Sequence, residues 1–209
     1  MARTIVCYGD SNTWGYDPVT KGRFPSKVRW PGVLRHTLGE AYHVVEEGLN
    51  GRTTVWDDPV SDYRNGRPYL LPCLESHHPV DLVTILLGTN DLKARFRLRP
   101  PDIAEGAGLL VELALRSRMG PNDSTPVVLL LAPPVVVQLT EFAGMFEEAT
   151  EKSRQLGHYY ELVTRWKGCA FLDTAPIIMS SPLDGIHFEA DQHEKLGHAV
   201  AAEVRRLLP

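Results

Sequence analysis

The sequence predicts an α/β protein with a mostly parallel sheet covered by helices on both faces. Three observations carry this. Five short apolar or β-branched runs are spread along the chain, and longer segments with three- and four-residue apolar spacing separate most of them. Hydrophobic residues make up 43% of the 209, enough for a sizeable core. Parallel neighbours need long crossovers, which such helical segments supply. The length suits one domain over residues 1–209, and no internal repeat or Pro-, Gly- or Ser-rich linker divides it.

Taken in order, the strand-like runs are 4–8, 42–46, 82–87, 127–131 and 170–172. A helix is expected over 103–118, where Ala104, Ala107, Leu110, Val111 and Leu115 recur at near-helical intervals. A second is expected over 141–166, from Phe142, Met145, Phe146, Leu156, Tyr159, Tyr160 and Val163. A third spans 191–208, with Leu196, Ala199, Val200, Val204 and Leu207 on one side. The stretch 59–79 is the least regular and reads as a long surface excursion.

Charge and composition narrow the function. Charged residues are 23% of the chain and the formal net charge is −4, which argues against disorder and against nucleic-acid or anionic-membrane partners. No run approaches the ~18 continuous apolar residues of a membrane span. Arg3 leads straight into a strand-like run without the pattern of a signal peptide. Cys7, Cys73 and Cys169 are odd in number and far apart, so they read as reduced thiols in a cytoplasmic protein.

In open parallel sheets ligands gather outside the carboxyl ends of the strands. Three exits place glycine beside small polar residues there: Gly9-Asp10-Ser11, then Gly48 through Thr53, then Gly88-Thr89-Asn90-Asp91. Each also has an ordinary turn-forming explanation. A hydrolytic serine at the first exit needs a base and an acid that orients it. Of eight histidines, His36, His43 and His158 fall within regular elements and His77 and His78 within the irregular excursion. His193 and His198 lie on the last helix and are expected to face solvent. His187 follows Asp184 by three residues, and Gly185 between them lets the chain fold back so that the carboxylate accepts from Nδ1–H. A turn followed by a helix cap is the alternative. The backbone N–H groups of Ser11 and Gly51 and the Asn90 amide are candidate donors to an oxyanion.

Gly9-Asp10-Ser11, Gly51, "GTND" with Asn90, and "DGIH" with Asp184 and His187 resemble, in order, the four sequence blocks of the SGNH hydrolases, also called GDSL-type esterases and lipases. The resemblance runs from residue 5 to about residue 200. It implies a flavodoxin-like three-layer α/β/α fold with a five-stranded sheet. It implies Ser11 as nucleophile, His187 as base, Asp184 as orienting acid, and an oxyanion hole from Ser11, Gly51 and Asn90. "GDSNTWGYDP", "EEGLNGRTT" and "LLGTNDLK" look most similar to bacterial arylesterases and related acyltransferases that act on small esters, which often form homo-oligomers. Asn12 departs from the leucine in the family's name.

Candidate substrate-pocket residues are Asp10, Asn12, Trp14, Val135, Val136 and Ile186, with Tyr16 as a further wall. The valines lie in "APPVVVQLT", which reads as a lip over the site, a subunit interface or a buried loop. The cations of "KARFRLRP" (Lys93, Arg95, Arg97 and Arg99) read as a solvated or oligomer-contacting face. No G-x-S-x-G, P-loop or G-x-G-x-x-G is present. Asp10, Asp184, His187 and His193 have no zinc spacing, so no metal or cofactor is expected. The leading expectation is a serine esterase for small acyl or aryl esters, with some capacity for acyl transfer. A carbohydrate O-deacetylase and a non-catalytic oligomeric scaffold are the alternatives.

Overall fold

Alternating strand side chains feed two separate cores. Val6 and Tyr8 of the first strand, β1 (Arg3–Gly9), pack with Val83, Ile85, Val128 and Leu130 on one face. Ile5 and Cys7 pack with Leu82, Leu86, Leu129 and Leu131 on the other. This period of two, apolar on both sides, is what a strand covered by helices on both faces requires. The computed structural model describes residues 2–209.

The remaining strands are β2 (Tyr42–Gly48), β3 (Leu82–Leu86), β4 (Val127–Ala132) and β5 (Ala170–Asp173). All neighbours pair in parallel, in the order β2-β1-β3-β4-β5. That is the flavodoxin-like arrangement, with the reversal of strand order beside β1 and β3. The central strands are the most apolar because they lie between helices on both faces. The edge strands β2 and β5 are only partly buried.

Among the described residues six α-helices accompany the sheet: α1 (Ser11–Trp14), α2 (Trp30–Leu38), α3 (Gly66–Ser76), α4 (Pro100–Arg116), α5 (Ala149–Lys167) and α6 (Ala190–Leu207). Helices α3, α4 and α5 contribute to the first core, α2 and α6 to the second. Proline stands in the first turn of α2 and α4, where its fixed φ suits a helix start and its missing N–H costs nothing.

Two expected elements differ. The stretch 59–79 contains α3, capped by the Asn65 side chain accepting from the Arg67 N–H and anchored by buried Leu70, Cys73 and Leu74. Pro72 inside this helix obscures its period in the sequence. The helix expected from residue 141 begins at Ala149 instead. Residues Phe142 to Phe146 form a compact turn, and Glu148 adopts a left-handed φ of 64° that ends any helical continuation upstream. The aromatic residues of this turn serve the site rather than a helix face.

Candidate active site

The carboxyl end of β1 delivers the chain into a tight turn that starts α1. The Asp10 carboxylate caps that turn by accepting from the Asn12 N–H at 2.9 Å, and the Trp14 N–H bonds the Asp10 carbonyl at 2.9 Å. Ser11 is the first residue of α1 and is 7% exposed. Its hydroxyl lies 3.0 Å from His187 Nε2.

His187 arrives from the loop before α6, 176 residues later. Its Nδ1 lies 2.7 Å from Asp184 Oδ2, while Asp184 Oδ1 accepts from the backbone N–H groups of Ile186 and His187 at 2.8 and 2.9 Å. Gly185 makes this fold-back feasible: its φ is +86°, and a Cβ there would stand 2.8 Å from the Gln138 carbonyl oxygen. Burial pushes the Asp184 carboxyl up, but the hydrogen bonds from the His187 imidazole and the two backbone donors outweigh it and hold the pKa below the usual carboxylate value. The carboxylate therefore stays charged and fixes Nδ1 as the protonated nitrogen, leaving Nε2 to accept from Ser11. The Tyr16 ring lies against the imidazole at 4.1 Å, tilted by 35°, and the Phe142 ring meets it edge-on at 6.0 Å, so the base has little rotational freedom.

Around Ser11 stand three donors. The N–H groups of Ser11 and Gly51 have no acceptor among the described residues. Gly51 is at φ +81°, a left-handed turn in which any side chain is strained. The Asn90 amide nitrogen donates to the Arg52 carbonyl at 3.2 Å and more weakly to Asp10 Oδ2 at 3.4 Å, so a ligand oxygen would take the place of the longer bond. Burial pushes the Asp10 carboxyl up to about 6, against the opposing hydrogen bond from Asn12.

These groups open on a cavity of about 200 Å³. Its polar end is Ser11, His187, Asn50, Gly51 and Asn90, and its apolar wall is Tyr16, Phe142, Met145, Phe146 and Ile186. Lys93 completes the lining. Of the residues expected to shape the pocket, Ile186 and Tyr16 line the cavity and the others do not. Asp10 lies behind the nucleophile turn. Asn12 donates from Nδ2 to the Ile186 carbonyl at 3.3 Å, tying that turn to the His187 loop. Trp14 turns away, under the Arg23 guanidinium at 4.8 Å. Val135 and Val136 belong to a packed loop: Val136 is 1% exposed with its N–H on Ser153 Oγ, and the Val135 carbonyl accepts from Ser180.

Two further expectations fail. His193 is fully buried rather than solvent-facing: Nδ1 accepts from the Trp30 N–H at 3.3 Å, and Phe24 and Phe188 meet its ring edge-on. Burial first, then the positive charge of Arg29, press its pKa down to about 3. Lys93 is not on a solvated face either: its ammonium pairs with the buried Asp58 carboxylate at 3.3 Å, and Arg95 joins the same carboxylate at 3.0 Å. Lys93, Phe142, Met145 and Phe146 line the cavity without being among the expected site residues. The dense cluster "FAGMF", with a helix-weakening Gly144 at its centre, was the available signal for the last three.

The cysteines are unpaired. Burial pushes the Cys73 thiol up to about 12 and Cys169 to about 11, and Cys7 higher still, so none is a thiolate nucleophile. Among the described residues, Glu47, Cys73 and His77 are the one His/Cys/acid group with mutual spacing suited to a metal, and there His77 Nε2 already meets Glu47 Oε1 at 3.1 Å. No helix among the described residues is long and apolar enough to cross a membrane.

Residues 7–195 match the GDSL-like lipase/acylhydrolase family. The chain belongs to that family. As a GDSL-like acylhydrolase it is similar to Est24, a carbohydrate acetylesterase from Sinorhizobium meliloti, at 40% identity and a TM-score of 0.95, covering 99% of this chain and 100% of that one. It is similar to the native aryl esterase of M. smegmatis at 42% identity and a TM-score of 0.95, with the same coverage. A carbohydrate acetylesterase family member from Sinorhizobium meliloti shares 36% identity with this acylhydrolase at a TM-score of 0.93, covering 99% of both chains. No curated protein sequence matches it.

Proposed function

We propose that this acylhydrolase is a serine esterase that cleaves small acyl and aryl esters through an acyl-enzyme on Ser11. One observation carries the reading: the Ser11–His187–Asp184 hydrogen-bonded chain, with contacts of 3.0 and 2.7 Å, opens on the same small cavity as the donors of Ser11, Gly51 and Asn90. Ser11 Oγ attacks the ester carbonyl carbon as its proton passes to His187 Nε2. The charge that develops on the carbonyl oxygen is received by the three donors, each typically worth ~10²–10³ in rate in such sites. His187 then returns the proton to the departing alcohol, and water repeats the sequence with His187 as base. A cavity of about 200 Å³ is below the ~300–1,000 Å³ of sites for larger ligands, which supports short acyl groups. Labelling with a fluorophosphonate ester tests the reading: folded protein that is not labelled at Ser11 refutes it.

A carbohydrate O-deacetylase is the second reading, favoured by the similarity to Est24 at 40% identity and by a cavity sized for acetyl. Turnover of acetylated sugars far above that of p-nitrophenyl acetate selects it. The apolar wall of Tyr16, Phe142 and Phe146 favours an alcohol over water as acceptor. Ester formation in aqueous alcohol above the alcohol-to-water ratio shows acyl transfer. We place the protein in the cytoplasm, on its three unpaired cysteines, and cell fractionation checks this. Self-association is supported by exposed Val60 and Tyr63, at 70% and 92%, rather than by Lys93 and Arg95, whose charges meet Asp58 within the chain. A Tyr63→Asp variant with unchanged sedimentation excludes that surface.

A further inference from the structure

Two buried carboxylates outside the Ser11–His187–Asp184 set cross between the segments that carry the oxyanion donors. One segment runs from Gly51 to Asp58, the other from Asn90 to Arg95. Asp91 of the second holds Thr54 of the first: its two oxygens accept from the Thr54 N–H at 3.1 and 3.0 Å, and Oδ1 also accepts from the Thr54 hydroxyl. Asp58 of the first segment holds the second in return, accepting from Lys93 Nζ at 3.3 Å and Arg95 Nη1 at 3.0 Å. Asn90 adds a third strap through its 3.2 Å bond to the Arg52 carbonyl. Asp91 is 1% exposed and Thr54 is fully buried, so water does not compete for these bonds.

Asp91 does not line the cavity, and its side-chain hydrogen bonds go to Thr54 rather than to Ser11 or His187. Its side chain is nonetheless committed entirely to the one residue three positions past Gly51, while its backbone directly follows Asn90. We infer that Asp91 is a positioning residue: by gripping Thr54 it fixes the Gly51 N–H against the Asn90 amide, so that both donors converge on one oxyanion. This rests on the proposed acyl-enzyme reading. A donor pair set within a fraction of an ångström stabilises the transition state, whereas the uncharged ground-state carbonyl gains little from it. Loss of the grip therefore lowers kcat and leaves KM nearly unchanged.

The experiment compares Asp91→Asn, Thr54→Val and Thr54→Ser with the unaltered protein on p-nitrophenyl acetate, at a temperature well below each unfolding midpoint. Asp91→Asn is expected to lose about 10–100-fold in kcat with KM within about threefold, since small misplacements cost rates of that order. Thr54→Val removes only the hydroxyl strap and is expected to lose about three- to tenfold, and Thr54→Ser, which restores the hydroxyl, to regain most of it. Phosphorylation of Ser11 by diethyl p-nitrophenyl phosphate, in which p-nitrophenol leaves and the phosphoryl oxygen gains negative charge among the donors as Ser11 adds, is expected to slow in parallel. If Asp91→Asn does not fold, the Thr54 pair decides alone. Wild-type kcat in Thr54→Val and in any folded Asp91→Asn, with only the unfolding midpoint lowered, overturns the positioning role. Turnover retained by Ser11→Ala would instead overturn the acyl-enzyme reading itself.

Discussion

The Nδ2 amide of Asn12 donates to the carbonyl oxygen of Ile186 at 3.3 Å, stitching the turn that carries Ser11 to the loop that carries His187. This gives the departure from leucine at position 12 a structural consequence. The same side chain leaves its Oδ1 buried without a partner, so the arrangement is not wholly favourable. Replacing Asn12 by Leu removes one bond and one unsatisfied acceptor together. The expected change in unfolding free energy is within about 1 kcal/mol. Because Asp184 and the local backbone also hold His187, kcat is expected to fall less than tenfold. A hundredfold loss would show that the stitch dominates the placement of the base.

Ser11→Ala and Asp184→Asn rank the members of the hydrogen-bonded chain. Removing the attacking oxygen is expected to cost about 10⁵–10⁶ in kcat, and neutralising the orienting carboxylate about 10⁴, the ordering seen when such residues are removed singly. Circular dichroism and the urea unfolding midpoint, measured alongside kcat, exclude misfolding as the cause. Equal losses in the two variants contradict the ranking.

His193 adds an acid-sensitive term to stability. Its folded pKa is about 3 against a usual 6.5, so between these values the unfolded chain binds a proton that the folded chain does not. Stability from this group is present above pH ~6.5 and is lost as pH falls toward ~3, at about 1.4 kcal/mol per pH unit. Asp10 and Asp91 oppose it. Burial raises them to about 6 and about 7, so their cost grows as pH rises through the same window. The informative quantity is thus the difference between the protein and His193→Phe, followed by urea unfolding from pH 4 to 8. The variant is expected to be less stable at pH 8, having lost the Trp30 bond, and to close that gap progressively on acidification. A gap independent of pH refutes the assignment.

Phe142 and Phe146 set the depth of the cavity. Phe142→Ala is expected to extend the range of acyl chains, so that kcat/KM for p-nitrophenyl hexanoate rises relative to acetate. The gain is about fourfold for each additional CH₂ that finds apolar surface. An unchanged hexanoate-to-acetate ratio would mean that the acyl chain lies elsewhere.

Much of the sheet was legible because strands buried on both faces read as uninterrupted apolar runs, and the predicted ends lie within two residues of the observed ones. Helix α3 was hidden by Pro72, and the start of α5 was misread because Phe142, Met145 and Phe146 continue its spacing while pointing into the cavity. At the site, local signals were readable and distant pairings were not. Asp184 and His187 are three residues apart with a glycine between them, and their bond could be anticipated. Lys93 meets Asp58 across 35 residues and Thr54 meets Asp91 across 37, and no local pattern links such partners. His193 was misplaced because one polar residue on an amphipathic helix gives no sign of which neighbours will cover it.

The separation of 176 positions from Ser11 to His187 also sets an order of events during synthesis. Chains grow at about 5–20 residues per second, so a nascent polypeptide carries its serine for roughly 9–35 s before its imidazole exists. Until the loop before α6 emerges and docks, that hydroxyl is an ordinary alcohol. A ribosome-bound fragment that stops short of His187 is therefore inert toward esters, and reactivity switches on only after all five strands have been made.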